Sequence, residues 1–139
     1  MPRSRPITPL TRNQQAVLEL LVATRAPLAA YDILDRLRDQ GLRAPPQVYR
    51  ALAQLQEQGL VHRVESLNAY VACDQPHAHE TPDASVVLAV CYDCHSVTEI
   101  NARRLGQRLA GLSQECALDP AGLIVELRGH CANCKARTA

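Results

Sequence analysis

The stretch PPQVYRALAQLQEQGLVHRVESLNAYVAC, residues 45–73, decides how the first half of this chain folds. It begins with two prolines, which a first helical turn tolerates, and Gly59 marks the end of the helix. The apolar positions recur at helical spacing and form one buried face: Val48, Leu52 and Leu55. The runs LVHRVE and AYVAC then have strand character and are separated by the turn-forming group SLN. The stretch therefore predicts a helix followed by a β-hairpin.

Two further helices are predicted before this stretch. The first lies in TRNQQAVLELLVAT, where Thr11 and Gln14 have the spacing of a capping box. Its apolar stripe consists of Val17, Leu18, Leu21 and Val22. The second lies in APLAAYDILDRLRDQG and ends at Gly41. Its inward positions are Ile33, Leu34 and Leu37.

Three helices followed by a hairpin is the element order of a winged helix-turn-helix domain. In such a domain we expect the third helix to enter the DNA major groove and the hairpin to flank the DNA backbone. The polar face of the third helix fits this role, since Gln47, Arg50 and Gln54 project together. An ordinary solvated surface is the alternative explanation for the same pattern.

The sequence changes character after residue 72. DQPHAHETPD has two prolines and no apolar periodicity, so it predicts a hinge. A strand, a second strand ending at Ile100, a helix capped by Asn101 and a strand in GLIVEL follow. That helix has its apolar stripe at Leu105, Leu109 and Leu112. The predicted fold class is α+β, with a winged helix at 1–72, a hinge at 73–83 and a small α/β domain at 84–139.

Two C-x-x-C pairs, Cys91 with Cys94 and Cys131 with Cys134, carry the most specific chemistry. Alone, CYDCH also fits covalent haem attachment or a redox dithiol. A c-type haem needs an export signal and a second axial ligand, whereas the start has no apolar run and Met1 is the only methionine. A redox dithiol would open a helix, and this pair lies between β-branched runs. In a chain expected to be cytoplasmic, where disulfides are rare, two pairs predict a closed zinc site of four thiolates.

Composition and charge narrow the possible partners. The chain has no Phe or Trp, so its core must be built from aliphatic side chains. No apolar run approaches the ~18 residues that a membrane span requires. The net charge of +1 is unevenly distributed, because residues 1–72 carry +3 and residues 73–139 carry −2. The basic half is therefore the candidate for contact with a polyanion such as DNA.

The motif V-Y-R-x-L at residues 48–52, the hairpin after it and the paired C-x-x-C motifs resemble the ferric uptake regulator family of bacterial metal-dependent repressors. The likeness spans Thr11 to Cys134 and is strongest to the zinc-responsive members. It implies a C-terminal dimerisation domain and a metal-loaded homodimer on an imperfect, AT-rich palindrome of double-stranded DNA. Arg50 suits a bidentate contact with guanine. The full set of expected DNA contacts is Tyr31, Gln47, Tyr49 and Arg50, although Tyr31 has the alternative of a packed aromatic.

A structural zinc that is never released cannot report zinc concentration, so a sensor needs a second site. Each ligand-competent residue near the hinge has an ordinary alternative as a solvated histidine, a surface carboxylate or a buried thiol. The resemblance assigns the regulatory zinc to His62, Cys73, His79 and Glu99, with His77 as the alternate for His79. One thiolate, two imidazoles and one carboxylate suit Zn²⁺, so about two zinc ions per chain are expected. An iron- or peroxide-sensing repressor of the same family is the alternative.

These expectations describe a zinc-responsive transcriptional repressor that controls zinc uptake genes. An enzyme is not expected, because a zinc hydrolase needs an open metal position and a general base. A zinc-ribbon interaction module would explain the paired cysteines but not the winged helix. His95, Cys116 and His130 have no assigned role. Both histidines adjoin the C-x-x-C pairs and are either supporting groups around the metal ligands or merely exposed, and Cys116 is expected to be a buried or idle thiol.

Overall fold

The computed structural model describes residues 8–74, 86–118 and 125–138. The chain divides into two compact units, one ending at Pro76 and the other beginning at His77. None of the helices in the described ranges is long and apolar enough to cross a membrane. The finer boundaries at residues 72 and 83 stay predictions.

The N-terminal unit contains three helices and a two-stranded antiparallel sheet. In chain order these are α1 (Arg12–Thr24), α2 (Ala30–Leu37), α3 (Pro45–Glu57), β1 (Val61–Val64) and β2 (Ala69–Ala72). Leu28 forms an isolated antiparallel bridge to Tyr70, so β2 has a partner on each side. This element order confirms the predicted winged helix-turn-helix.

The ends of the helices follow local sequence signals. The Thr11 side chain accepts from the backbone N–H of Gln14, and the Gln14 side chain accepts from that of Thr11, as the capping box predicts. Gly41 ends the turn after α2 with φ of 100°, a conformation that glycine adopts without strain. The predicted start of the second helix was too early, because Leu28 is engaged in its bridge to Tyr70 and α2 begins at Ala30.

Aliphatic side chains from all three helices form the core of this unit. The fully buried ones include Val17, Leu21, Ile33, Leu42, Val48, Leu52 and Leu55. The prediction that Val22 belongs to the buried stripe of α1 was wrong, since its side chain is 55% exposed. The buried arc runs through Ala16, Val17 and Leu21, and the residue after Leu21 is turned by about 100° toward solvent.

The C-terminal unit is built on a three-stranded sheet with strand order β4-β3-β5. Its elements are β3 (Val86–Cys91), β4 (Val97–Asn101), α4 (Arg103–Glu115), β5 (Val125–Gly129) and α5 (Ala132–Thr138). β4 is antiparallel to β3, and β5 is parallel to it. The predicted cap at Asn101 was wrong, because Asn101 pairs with Val86 as the last residue of β4 and Ala102 occupies the N-cap.

Candidate metal centres and DNA-binding surface

The parallel pairing of β3 and β5 brings the two C-x-x-C pairs to one end of the sheet. Cys91 is the last residue of β3 and lies opposite Gly129 of β5. The backbone N–H of Tyr92 donates to the carbonyl oxygen of Gly129 at 2.8 Å, which ties the first pair to the strand that leads into the second. Cys134 lies in the first turn of α5.

The four sulfur atoms have the spacing of a tetrahedral zinc site. The sulfurs of Cys91, Cys94, Cys131 and Cys134 all lie within 4.8 Å of one another. Those of Cys94 and Cys131 are 3.8 Å apart. Four thiolates at the usual Zn–S distance of about 2.3 Å would be about 3.8 Å apart. The six cysteines of the chain, all in the described ranges, form no disulfide.

Hydrogen bonds prepare two of these sulfurs to be thiolates. The backbone N–H groups of Cys94 and Cys131 lower the pKa of Cys91 to about 6, and that of Cys131 lies 3.3 Å from its sulfur. The Ser96 hydroxyl, 3.2 Å from the sulfur of Cys94, lowers the pKa of that thiol. Hydrogen bonding to Cys131 and burial raise the pKa of Cys134 to about 12. Four thiolates this close together repel one another, so all four can ionise only when a cation lies among them. A bound metal ion would be such a cation.

Sequence reasoning raised His130 as one alternative for a supporting group of this cluster, but it did not single out Asp93 or Ser96. Nδ1 of His130 lies 2.8 Å from Oδ2 of Asp93, so a side-chain contact joins the first pair to the second. His130 also packs at a tilt near Tyr92, with ring centroids 6.0 Å apart. The position of Ser96 two residues after Cys94 was the available sequence signal for its role. The Asp93 contact depends on the register of β3 with β5, which no local pattern reports.

A second pair of candidate ligands lies at the base of the hairpin. Both His62 on β1 and Cys73 just after β2 are half-buried, and their ligand atoms lie within 4.8 Å of each other. The backbone N–H of Cys73 donates to the carbonyl oxygen of Leu60 at 2.9 Å, which holds Cys73 beside β1. Glu99 is half-buried on β4 of the other unit. The remaining predicted ligands, His77 and His79, lie outside the described residues.

The predicted DNA-contacting side chains differ in solvent exposure and in the hydrogen bonds that they already form. Tyr31, Tyr49 and Arg50 are exposed, Tyr31 at 63% and Tyr49 at 46%. Gln47 is half-buried, and its Oε1 accepts from the backbone N–H groups of Arg43 at 2.8 Å and Ala44 at 3.1 Å. Gln47 therefore secures the start of α3, and its amide nitrogen is the part left to contact a ligand.

Comparison with known proteins places the chain in a family. Over 126 residues the chain is 36% identical to the zinc uptake regulation protein of Escherichia coli K12, covering 90% of this chain and 72% of that protein. The crystal structure of holo XcZur matches with TM-score 0.82 and 36% identity, covering 95% of this chain and 89% of that one. A zinc uptake regulator complexed with zinc and DNA matches with TM-score 0.84 and 33% identity, covering 96% and 89%. No protein-family model matches the chain.

The fold and the sulfur cluster define the class: a winged-helix protein with a candidate four-cysteine metal centre. The chain belongs to the ferric uptake regulator family, and within it is most like the zinc uptake regulators.

Proposed function

We propose that this protein is a zinc-responsive transcriptional repressor, which binds operator DNA as a zinc-loaded homodimer and controls zinc uptake genes. The observation that carries the proposal is the likeness, over nearly the whole chain, to regulators of zinc uptake, one of them solved with zinc and DNA. A repressor with this task works where the DNA is, so we place it in the cytoplasm.

The structural zinc is assigned to Cys91, Cys94, Cys131 and Cys134. The spacing of the four sulfurs and the support from Ser96 favour this assignment. Such an ion contributes directly to the folding free energy of the domain that binds it. Because four thiolates close the coordination shell, the site offers no open position for a substrate, and we propose no enzymatic role.

The regulatory zinc is assigned to His62, Cys73, His79 and Glu99, with His77 as the alternate for His79. The proximity of His62 and Cys73 at the base of the hairpin supports this choice. A thiolate and an imidazole favour Zn²⁺ over Fe²⁺, whose sensing favours nitrogen and oxygen ligands. Ligands drawn from both units would restrict the DNA-binding unit when the ion is bound, and the restricted arrangement would be the one that fits DNA.

Dimerisation is assigned to the C-terminal unit. Large apolar side chains remain exposed there in the single chain, including Leu112, Leu118 and Leu127. Burial of such side chains against a second copy would remove them from water. In a dimer, two copies of α3 could meet two half-sites of a palindrome.

The DNA contacts are assigned to α3 and the start of α2. Arg50 would form the bidentate contact with guanine, while Tyr31 and Tyr49 would contact backbone or base methyl groups. Gln47 would contact DNA only through its amide nitrogen, because its oxygen already caps α3.

Metal analysis paired with DNA binding tests this function. The protein is purified under reducing conditions, its zinc and iron are measured, and it is incubated with a random pool of duplex DNA under buffered zinc or buffered iron. We expect tightly held zinc and enrichment of a palindromic duplex only with zinc. Enrichment with iron but not zinc would favour the iron sensor, and no enrichment with either metal would favour a zinc-ribbon interaction module.

A further inference from the structure

The hairpin carries an arginine that the sequence analysis did not single out. Arg63 lies on β1 opposite Tyr70, and its side chain is 39% exposed. One terminal nitrogen donates to Oδ1 of Asn68 at 3.1 Å, and the other lies 3.6 Å from a carboxylate oxygen of Glu65. Both partners belong to the turn that joins β1 to β2.

Arg63 lies on a strand, β1, that packs against α3. Burial raises the pKa of Tyr70, the charge of Arg63 lowers it, and Tyr49 and Glu65 raise it. The pairing of Arg63 with Tyr70 and the packing of β1 against α3 give the same placement. The Tyr70 ring lies in one core with Val48 and Leu52, so Arg63 belongs to the part of the hairpin that adjoins α3.

Not every donor of the Arg63 guanidinium forms a hydrogen bond within the described part of the chain. Its Nε is buried and forms no hydrogen bond to any described residue. The 3.6 Å separation from Glu65 is that of an ion pair and exceeds a good hydrogen bond. The two terminal nitrogens remain as a planar pair of donors, and such a pair matches the geometry of a phosphate group. An exposed ion pair of this kind is weak and can be exchanged for a stronger anion.

We propose that Arg63 is a DNA-phosphate contact of the hairpin, and that Glu65 competes with the phosphate for it in the free protein. This inference rests on the proposed DNA-binding function and adds a residue to it. The contact reads no base, so it contributes affinity for any duplex and leaves sequence discrimination to α3. Glu65 would weaken non-specific binding, because its ion pair with Arg63 must break each time the protein binds DNA.

Salt-dependent binding tests the contact. Zinc-loaded wild type, Arg63→Gln and Glu65→Gln are titrated with the enriched duplex and with a random-sequence duplex over a range of salt concentrations. Arg63→Gln should weaken binding to both duplexes by the same factor and reduce the slope of log affinity against log salt by about 1. Glu65→Gln should strengthen binding to both, and this gain should shrink when Arg63→Gln is also present.

Two controls separate this role from a structural one. Arg104→Gln removes the same charge from an exposed position on α4 and should leave the salt slope unchanged. Thermal unfolding of each variant reports whether the hairpin still folds. An unchanged slope in Arg63→Gln, or no gain in Glu65→Gln, overturns the inference. If wild type bound neither duplex with zinc, the proposed function itself would fail.

Discussion

The two units of this protein differ in what holds them together. In the N-terminal unit, fully buried side chains from α1, α2 and α3 meet in one aliphatic core. In the described part of the C-terminal unit, the buried side chains are three from the middle of β3 and two cysteines of the candidate metal site: Val87, Leu88, Val90, Cys91 and Cys134. The first unit can therefore be stabilised by its own packing, whereas for the second we propose that a bound zinc ion supplies part of the stability.

The expected magnitudes support this contrast. Truncating a buried leucine to alanine typically costs about 2–5 kcal/mol. Structural zinc contributes an apparent binding free energy of about 10–16 kcal/mol in small zinc domains at neutral pH. Loss of the ion should therefore exceed the loss of any single core side chain, and its effect should be confined to one unit.

The largest expected effect is that of Cys91→Ser. Removal of one thiolate should release the structural zinc, unfold the C-terminal unit or dissociate the dimer, and leave the N-terminal unit folded. Zinc content, sedimentation and amide hydrogen exchange resolved by residue measure these outcomes. Cys116→Ser, which changes an exposed thiol at the end of α4, is the matched control. A Cys91→Ser protein that remained a stable dimer with its full zinc content would break the comparison.

The next effect concerns the aliphatic core. Leu55 on α3 is completely buried, so Leu55→Ala should lower the free energy of unfolding of the N-terminal unit by about 2–5 kcal/mol. Its zinc content should not change. Val22→Ala shortens an exposed side chain on α1 and should alter stability by less than about 0.5 kcal/mol. Chemical denaturation of both variants provides the comparison, and equal losses would contradict the assigned core.

Arg50→Ala tests the function proposed for the N-terminal unit, which is sequence-specific DNA binding. Loss of a bidentate contact should cost about 1–3 kcal/mol of discrimination at one base pair, while zinc content and dimerisation stay unchanged. Binding to the enriched duplex should therefore fall more than binding to random DNA. An equal fall for both duplexes would identify Arg50 as a phosphate contact instead.

The smallest expected effect is that of Thr11→Ala at the start of α1. Its hydroxyl oxygen accepts from the backbone N–H of Gln14 at 3.2 Å, and loss of such a cap costs about 1 kcal/mol. The loss should appear in the unfolding of the N-terminal unit alone. Thr11→Ser keeps the acceptor and should retain most of the stability. A similar loss in both variants would assign the effect to packing.

The helices of the N-terminal unit were predictable because their ends carry local signals. Thr11 with Gln14, the prolines before Gln47 and the glycine at 41 each act within a few residues of chain. The same reasoning mispredicted Val22, because an apolar residue at the edge of a stripe can lie inside or outside the buried arc. The capping contact of Gln47 was not predicted, since helical spacing does not report a contact with the preceding loop, and its role in DNA binding stays a prediction.

The ligands of the candidate metal site were predictable from the sequence, whereas the contacts made by its supporting groups were not. Each C-x-x-C pair is a local motif, so the four sulfurs could be named from the sequence. The contact between Asp93 and His130 exists because β5 runs parallel to β3, and that register is a property of the whole sheet. The donation from Cys131 to the sulfur of Cys91 has the same origin. Asn101 was misread for a related reason, because its pairing with Val86 outweighed its preference for a helix cap.

DNA affinity against buffered free zinc, in wild type and Cys73→Ser, tests most directly the claim that this protein senses zinc through the hairpin. A serine hydroxyl is a far poorer zinc ligand than a thiolate, so the midpoint of activation should move to higher free zinc. The dimer and its structural zinc should remain, and Cys116→Ser should behave as wild type. An unchanged midpoint in Cys73→Ser would show that Cys73 is only a packed thiol and that zinc is sensed elsewhere.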